Sequence, residues 1–231
     1  MPANMFSLQF LYQGLQINSC ANRRCSRIRE GASAMKSDQT LDFYNQNADD
    51  FISRTVIADM ESARTRFTAC LPPNASILDF GCGSGRDTKA FLDAGYRVDA
   101  MDGSEALCEK ASAYTGIQVK NMLFSDLNEH DAYDGIWACA SILHLPKDEL
   151  ADVLRRIETA LRPHGVLYAS FKYGTHEGMR DGRFFTDFTE ETLRTFWEKS
   201  SNMQIFDTWL SMDVRSDREE VQWLNLLARR V

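Results

Sequence analysis

A glycine-rich segment between residues 79 and 85 has the composition of a loop that holds a ligand with main-chain atoms. It reads DFGCGSG, follows the apolar pair Ile77-Leu78 and precedes a helical pattern that begins near Arg86. Glycines let the chain turn sharply from strand to helix, and they bring backbone amides against a ligand where any Cβ would collide. The segment therefore predicts a ligand site at the carboxyl end of a strand.

The acidic residue that opens this loop favours a ligand with an ammonium group. A dinucleotide loop has the spacing G-x-G-x-x-G and binds pyrophosphate at a helix N-terminus, but Arg86 stands where its third glycine would fall. The carboxylate of Asp79 repels phosphate and attracts an amine. Two alternatives stay open at this point, a nucleotide-dependent oxidoreductase and a glycine turn with only a structural role.

A second carboxylate stands at the end of the next predicted strand. Asp102 follows the run Tyr96–Met101 and lies 23 residues after Asp79. A carboxylate accepts two hydrogen bonds from vicinal hydroxyls, as the ribose-binding acid of dinucleotide folds does. An isolated Asp at such a place is usually a turn former, but the spacing from the glycine loop favours a ribose contact.

The exit from the fourth predicted strand carries a group that can take a proton. His144 ends the segment 134–144, and an imidazole with a pKa of about 6.5 can accept a proton from a hydroxyl or an amine. A histidine packed under the following helix is an equally good interpretation. Further candidates follow the fifth predicted strand, and they are Lys172, Tyr173, Arg183, Phe184 and Phe185. We expect the last three to form a lid over an acceptor.

These residues need strands whose ends meet at one edge of a sheet. Beyond Pro73 short apolar runs alternate with longer helical stretches, which predicts an α/β fold with a parallel sheet wrapped by helices. The predicted strands are Ser76–Phe80, Tyr96–Asp102, Gln118–Leu123, Tyr133–Ala138 and Gly165–Phe171. The predicted helices are Arg86–Ala94, Ser104–Tyr114, Lys147–Leu161 and Thr189–Lys199. The runs Gln204–Ser211 and Val221–Ala228 predict an antiparallel hairpin that completes a seven-stranded sheet.

Two flanking segments are expected to close this edge of the sheet. From Leu41 to Phe67 apolar residues recur at three- and four-residue spacings, which predicts one or two helices that cover the sheet. The connection between the last two strands carries Asp213, Arg215 and Arg218. These residues either form a polar turn or close an acceptor pocket.

Residues 1–34 show neither a helical period nor a strand alternation, so we expect a poorly ordered extension ahead of one domain over residues 35–231. Two interpretations stay open, a mitochondrial transit peptide and an upstream extension of a reading frame that begins at Met35. Truncation to Met35 is expected to leave the fold intact. With four arginines and one glutamate the extension is +3, so the remainder of a chain of net charge −7 is −10.

Charge and cysteine content exclude several other classes. An acidic body argues against capture of nucleic acid, which needs a basic face, and favours small substrates. The six cysteines, at 20, 25, 70, 82, 108 and 139, lack the spacing of a zinc site, so we expect no metal, reduced thiols and a cytoplasmic location. No apolar run approaches the roughly 20 residues of a membrane span, so we expect no membrane partner.

The motif DFGCGSG resembles the first motif of the class I S-adenosylmethionine (SAM)-dependent methyltransferases, D-x-G-x-G-x-G, and the resemblance covers Leu41 to Val231. It implies SAM as the cofactor and a Rossmann-like, doubly wound, mostly parallel sheet. Its implied contacts are Asp79, Gly81, Cys82 and Gly83 at the methionyl part, Asp102 and Gly103 at the ribose, and Asp126 and Leu127 at the adenine.

Two other segments resemble the same family. Tyr44, Phe51 and Arg54 match an entrance helix of the form Y-x6-F/Y-x2-R, which implies Tyr44 at the cofactor and Arg54 at its carboxylate. The segment 134–144 borders both cofactor and acceptor in related enzymes, which implies Cys139 as a cofactor contact. A solvated helix charge stays open for Arg54, and a helix cap or turn stays open for Asp126.

The resemblance implies a methyltransferase that moves the SAM methyl group to a small-molecule acceptor, with His144 and Tyr173 as candidate catalytic residues. Because the leaving group of a sulfonium is neutral, alignment and desolvation can carry much of the catalysis without a base. The chain is most similar to small stand-alone bacterial members, including tellurite-resistance-like ones. A noncatalytic SAM-binding module and a nucleotide-dependent oxidoreductase are the alternatives, and the oligomeric state and the accepting atom stay open.

Overall fold

The computed structural model describes residues 39–215 and 220–231. Its helices are α1 (residues 39–46), α2 (Ala48–Thr55), α3 (Glu61–Thr68), α4 (Arg86–Asp93), α5 (Glu105–Thr115), α6 (Lys147–Ala160) and α7 (Glu190–Ser200). Its strands are β1 (Ser76–Phe80), β2 (Arg97–Asp102), β3 (Lys120–Asn121), β4 (Tyr133–Ala138), β5 (Leu161–Lys172), β6 (Glu177–Arg180), β7 (Arg183–Thr186), β8 (Gln204–Met212) and β9 (Gln222–Arg229). The predictions for residues 1–34, Met35 and Arg218 lie outside the described residues.

The predicted seven-stranded sheet is confirmed, in the order β3-β2-β1-β4-β5-β9-β8. The strands from β3 to β5 run parallel, whereas β9 pairs antiparallel with both β5 and β8. The chain winds outward from β1 in one direction and then returns to β4 on its other side. In such sheets ligands bind beyond the carboxyl ends of the two strands where the order reverses. Here those ends are Phe80 of β1 and Ala138 of β4.

Both faces of the central strands are buried, because helices cover each side of the sheet. On one face Ile136 and Leu167 pack with α6 and α7 in the larger hydrophobic cluster. On the other face Trp137 stacks on Tyr168, with ring centroids 3.9 Å apart, and meets Phe67 of α3. Strands buried on both faces are apolar throughout rather than alternating, which is why these short runs were recognisable in the sequence.

A small hairpin that the sequence analysis did not predict stands beside the main sheet. Strands β6 and β7 pair antiparallel across Asp181 and Gly182, whose φ angles of 52° and 76° are the two positive values of a tight hairpin turn. The hairpin is joined to α1, since the backbone N–H of Phe184 donates to the Thr40 hydroxyl at 3.0 Å. The expected connection over this segment is therefore an ordered cover.

Three predictions differ from the structure by more than one residue at an element end. Strand β3 is only two residues long, because it lies at the edge of the sheet and a single 3-10 turn begins at Phe124. Strand β5 begins directly after α6, since Leu161 pairs with Tyr133 ahead of a register shift. The cover ahead of the sheet contains three helices instead of one or two, separated at Asn47 and by residues 56–60.

Among the described residues, no helix combines the length and the apolar composition that crossing a bilayer requires.

Candidate active site

A cavity of about 1020 Å³ lies at the carboxyl ends of β1, β2 and β4, where the strand order reverses. Its walls come from the glycine loop after β1, the exits of β2, β4 and β5, the covering helices α1 and α2, helix α6, the small hairpin, and the facing ends of β8 and β9. Ligand pockets commonly span about 300–1,000 Å³. The cavity is therefore large enough for more than one small ligand.

The glycine loop is held by backbone bonds and has no room for side chains. The N–H groups of Gly81 and Cys82 both donate to the Met101 carbonyl at 2.9 Å. Gly81 has a φ of 85°, and a Cβ placed on it would lie 2.5 Å from the Cβ of Ser141. The loop thus brings bare backbone to the cavity wall, as the motif predicts.

Asp79, at the end of β1, is a buried carboxyl group that faces this cavity. Its residue exposure is 2%, and the Thr88 hydroxyl donates to its Oδ2 at 2.6 Å. Burial and the neighbouring Asp87 carboxylate raise the pKa of Asp79 from 3.8 to about 7. Among the described residues it forms no ion pair. A bound cation would therefore stabilise its ionised form.

The neighbouring acid, Asp87, is by contrast fully paired. Arg64 and Arg86 donate to its two oxygens at 2.6–3.0 Å, and the indole N–H of Trp137 donates to Oδ2 at 3.0 Å. Burial alone would raise the pKa of Asp87, but the two guanidinium groups outweigh it and hold the pKa below its usual value. This network fixes Arg86 at the cavity wall, where it also donates to the Thr55 carbonyl at 3.3 Å.

Asp102, at the end of β2, lies next to the same loop. Its Oδ2 accepts from the N–H of Gly83 and its Oδ1 from the N–H of Ser104, both at 2.9 Å. Burial raises the pKa of this carboxyl group above its usual value. Each carboxylate oxygen can accept more than one hydrogen bond, so Asp102 retains capacity toward a ligand. Gly103 lines the cavity directly after it.

The predicted adenine contacts, Asp126 and Leu127, do not line the cavity. Asp126 closes its own turn, since its Oδ2 accepts from the N–H of Leu123 at 2.9 Å. Leu127 is buried in the core with 2% exposure. The cavity is lined instead by the two preceding residues, Phe124 and Ser125.

Tyr44 and His144 meet inside the cavity. The Tyr44 hydroxyl lies 2.8 Å from His144 Nε2, and His144 Nδ1 lies 2.6 Å from the Phe184 carbonyl. Because a carbonyl can only accept, Nδ1 carries the proton and Nε2 accepts from the tyrosine. Burial, with the positive charges of Arg183 and Lys172, lowers the pKa of His144 to about 3. The imidazole is therefore neutral and both of its nitrogens are engaged.

Beside this pair, three cations surround one aromatic ring. The charged groups of Lys172, Arg180 and Arg183 lie 4.3, 4.5 and 5.2 Å from the centroid of Phe185. Arg180 also makes a two-point ion pair with the buried Asp187, at 3.0 Å for each bond. Two guanidinium groups and one ammonium group therefore meet beside His144, and Asp187 pairs with one of the guanidinium groups.

Of the remaining predicted site residues, two lie outside the cavity lining and one lies within it. Arg54 is half exposed, pairs with Asp50 at 3.0 Å and does not line the cavity. Tyr173 is 37% exposed, is hydrogen-bonded to Glu190 and also lies outside the lining. Cys139 lines the cavity, and burial raises the pKa of its thiol to about 12, so it is protonated.

Sequence reasoning missed several residues of the lining. Ser141, Ser170 and Asn225 line the cavity because strand exits and the β9 strand converge there, and no local motif marks them. Arg86 was the residue with an available signal, since it follows the glycine loop directly and begins α4. Phe51 packs edge-on against Tyr44, with centroids 5.1 Å apart, as its place in the entrance-helix pattern allows.

Comparisons with known proteins agree with this geometry. Residues 77–165 match a family described as a methyltransferase domain. The structure is similar to Burkholderia thailandensis 1,6-didemethyltoxoflavin-N1-methyltransferase with bound 1,6-didemethyltoxoflavin and S-adenosylhomocysteine, with a TM-score of 0.69, 25% identity and coverage of 88% of this chain and 90% of that one. A SAM-dependent methyltransferase from Methanosarcina mazei shares the fold at 18% identity and a TM-score of 0.65, covering 75% of this chain and 99% of that one.

A curated relative is also similar over part of its length. Human N-terminal Xaa-Pro-Lys N-methyltransferase 1 is 39% identical over 98 residues, which are 39% of this chain and 44% of the relative. The chain thus spans less than half the length of the curated relatives it matches first.

Together the sheet, the glycine loop with its two strand-end acids and these matches define the class. Residues 77–165 match a methyltransferase domain, and the chain shares its fold with SAM-dependent methyltransferases. Its cofactor is SAM.

Proposed function

We propose that this chain transfers the methyl group of SAM to a small-molecule acceptor that binds in the same cavity as the cofactor. The observation that carries the proposal is the continuity of one cavity of about 1020 Å³. It includes Asp79 and Asp102 at one part of its wall and Tyr44, His144 and Arg183 at another. Donor and acceptor sites therefore share one cavity, and ligands that fill it would displace its water.

The residues of the first part fit SAM. The ionised Asp79 carboxylate is the partner for the cofactor's ammonium group, and Asp102 is the partner for its ribose hydroxyls. We assign the cofactor's carboxylate to Arg86, because that guanidinium lines the cavity whereas Arg54 lies outside the lining. Bound SAM supplies an electrophilic methyl group whose leaving group is a neutral thioether.

The second part positions the acceptor rather than deprotonating it. His144 is neutral, and its Nε2 already accepts from Tyr44. A general base must reach the acceptor's proton with an open lone pair, so His144 fits a positioning role. Alignment and exclusion of water then supply the acceleration. The small hairpin that covers this part of the cavity is joined to α1 by the hydrogen bond between Phe184 and Thr40.

The human relative's name describes a protein N-terminus as its acceptor, and its match with this chain covers 98 residues. A basic peptide terminus suits an acidic pocket, whereas Lys172 and Arg183 stand at the acceptor part of this cavity. The neighbour from Burkholderia thailandensis, similar over 88% of this chain, holds bound 1,6-didemethyltoxoflavin. Both observations favour a small acceptor, and the narrower tellurite-resistance-like assignment stays a prediction.

Isothermal titration with SAM and, separately, NADH tests the cofactor part of this proposal. SAM should bind, and Asp79→Ala and Asp102→Ala should each weaken binding at least about tenfold, the loss of one charge-assisted contact. Asp93→Ala is the matched control, since Asp93 is exposed and lies outside the lining. A preference for NADH would point to the oxidoreductase alternative.

A methylation assay then tests the acceptor part. The panel pairs small phenols, thiols, nitrogen heterocycles and tellurite with a peptide that begins Xaa-Pro-Lys, and mass spectrometry detects the added methyl group. Methylation of a small compound supports the proposal. Methylation of the peptide alone would assign the relative's chemistry to this chain, and SAM binding with no product would favour a noncatalytic module.

A further inference from the structure

We propose that the acceptor binds as an anion, with its negative charge at Arg183. This inference rests on the proposed function and names the substrate class of the same cavity. It predicts an acceptor that is a weak acid, such as a phenol, an enol, a thiol or an acidic ring N–H, and not an amine.

The first observation is the arrangement of charge around Phe185. Lys172, Arg180 and Arg183 place three positive groups within 5.2 Å of that ring centroid. Asp187 neutralises Arg180 through two bonds of 3.0 Å. Cations held this close repel one another, so a further negative charge at the cluster would lower its energy.

The second observation is the bonding of Arg183. Its Nε is buried and has no hydrogen-bond partner among the described residues, and the chain places no acid in an ion pair with it there. An unsatisfied buried donor on a charged group is costly, and such groups are usually paired. Arg183 is half-buried and lines the cavity, so an anion bound there can pair with the charge of its guanidinium group.

The aromatic surroundings hold this guanidinium in place. Arg183 lies 4.4 Å from the ring centroid of Phe43 and 5.8 Å from that of Tyr44. Cation–π contacts fix a planar guanidinium without satisfying its N–H groups. Arg183 also donates a hydrogen bond to Tyr44. The side chain is therefore ordered, while no carboxylate forms an ion pair with it among the described residues.

Other charged residues also line the cavity, and they are Asp148, Glu149, Asp152 and Arg156 of α6 and the pair Asp213 and Arg215 beyond β8. Asp213 is paired with Arg215 through two bonds of 2.6–2.8 Å, so that the pair is neutral. The positive charges of Arg183, Lys172 and Arg180 also act on His144, which stays neutral beside them. An ammonium acceptor would meet the same repulsion as a protonated imidazole.

An acceptor that binds as an anion needs no general base. A weak acid that binds as its conjugate base has already released its proton to solvent. Its lone pair then forms the bond to the methyl carbon while the carbon–sulfur bond breaks and leaves its electron pair on sulfur. A sulfonium and an anion become two neutral products, so a desolvated site favours the step.

Titration with matched probes tests this inference. Benzoate, benzamide and benzylammonium have similar shapes and charges of −1, 0 and +1. Each is titrated into the protein alone and into the protein loaded with S-adenosylhomocysteine. We expect benzoate to bind at least about tenfold more tightly than benzamide, and benzylammonium to bind most weakly.

Substitutions test whether Arg183 causes the preference for the anionic probe. Arg183→Met should abolish the preference for benzoate, and Arg183→Lys should restore most of it because the charge is kept. Arg194→Met, which removes one exposed charge on α7, should leave the preference unchanged. Thermal melting of each variant separates lost binding from lost folding.

The outcomes for the two proposals are distinct. If S-adenosylhomocysteine binds and benzoate shows no preference over benzamide, or no probe binds, the anion inference is overturned and the proposed function stands. If S-adenosylhomocysteine does not bind, the proposed function fails, and the titration of the unloaded protein still decides the anion inference.

Discussion

The hydroxyl of Tyr44 lies 2.8 Å from Nε2 of His144, a hydrogen bond between residues 100 positions apart. The opposite nitrogen of the same ring donates to the Phe184 carbonyl at 2.6 Å. One neutral imidazole therefore joins the covering helix α1, the exit of β4 and the small hairpin. The cover of the cavity is fixed to the wall where the acceptor is proposed to bind.

Removal of the Tyr44 hydroxyl should destabilise the protein although the ring remains. In Tyr44→Phe the contacts with Phe51 and Phe43 persist, but the buried Nε2 of His144 loses its donor. We expect a loss of about 1–3 kcal/mol in the free energy of unfolding, measured by urea denaturation. Tyr114→Phe, at a half-exposed ring, is the control and should change it by less than about 0.5 kcal/mol. Equal effects in both variants would contradict this role.

The same imidazole should make stability depend on pH in the acid range. Its pKa is about 3 in the folded protein, against about 6.5 when unfolded, so the unfolded chain takes a proton that the folded chain refuses. Its contribution is complete above pH 6.5 and is lost as the pH falls toward 3, by about 1.4 kcal/mol per pH unit. His144→Gln should remove this part of the slope between pH 6 and about 4.5. An unchanged slope in that variant would mean that His144 is protonated in the folded state.

The sequence predicts those features of the site that depend on neighbouring residues along the chain. Asp79, Gly81 and Asp102 lie at the cavity because each follows a strand that is apolar enough to recognise. The mostly parallel sheet follows from the same alternation of strands and helices. A usable local signal was overlooked at Asp181-Gly182, since this dipeptide is a strong hairpin turn, as it was at Arg86.

Side-chain pairing between distant elements could not be predicted in this way. Arg54 pairs with its own helix neighbour Asp50, whereas Arg86 is turned to the cavity by a network that includes Arg64 and Trp137. The partners of these two arginines depend on which helix packs beside which strand. A single sequence records them only as separate charged residues.

Replacing the Asp87 carboxylate with a neutral amide should lower the free energy of unfolding far more than the same change at an exposed aspartate. Arg64 and Arg86 both donate to its carboxylate, and their side chains are only 20% and 17% exposed. In Asp87→Asn two largely buried cations lose their partner, so we expect a loss of about 3–5 kcal/mol, measured by urea denaturation. Asp152→Asn removes an exposed ion pair with Arg155 and should cost less than about 1 kcal/mol. A small effect at Asp87 would show that water reaches the network.

The ionised form of Asp79 should destabilise the ligand-free protein although SAM binding needs it. Its pKa is raised from 3.8 to about 7, so the folded chain keeps a proton that the unfolded chain releases. The stabilising contribution is present below pH 3.8 and is lost as the pH rises through 7. Above pH 7 the buried, ionised carboxylate therefore costs up to about 4 kcal/mol, at about 1.4 kcal/mol for each pKa unit.

Asp79→Asn should consequently raise the free energy of unfolding at pH 8 by about 1–4 kcal/mol while it weakens SAM binding. In the unsubstituted protein the SAM dissociation constant should increase about tenfold for each pH unit below 7, because the ammonium needs an ionised partner. The variant should bind weakly and with little change between pH 5.5 and 7. Calorimetric titration across that range checks both, with the exposed Asp93→Asn as the control. A variant that follows the pH profile of the unsubstituted protein would show that another group holds the ammonium, and the cofactor's orientation would then need reassignment.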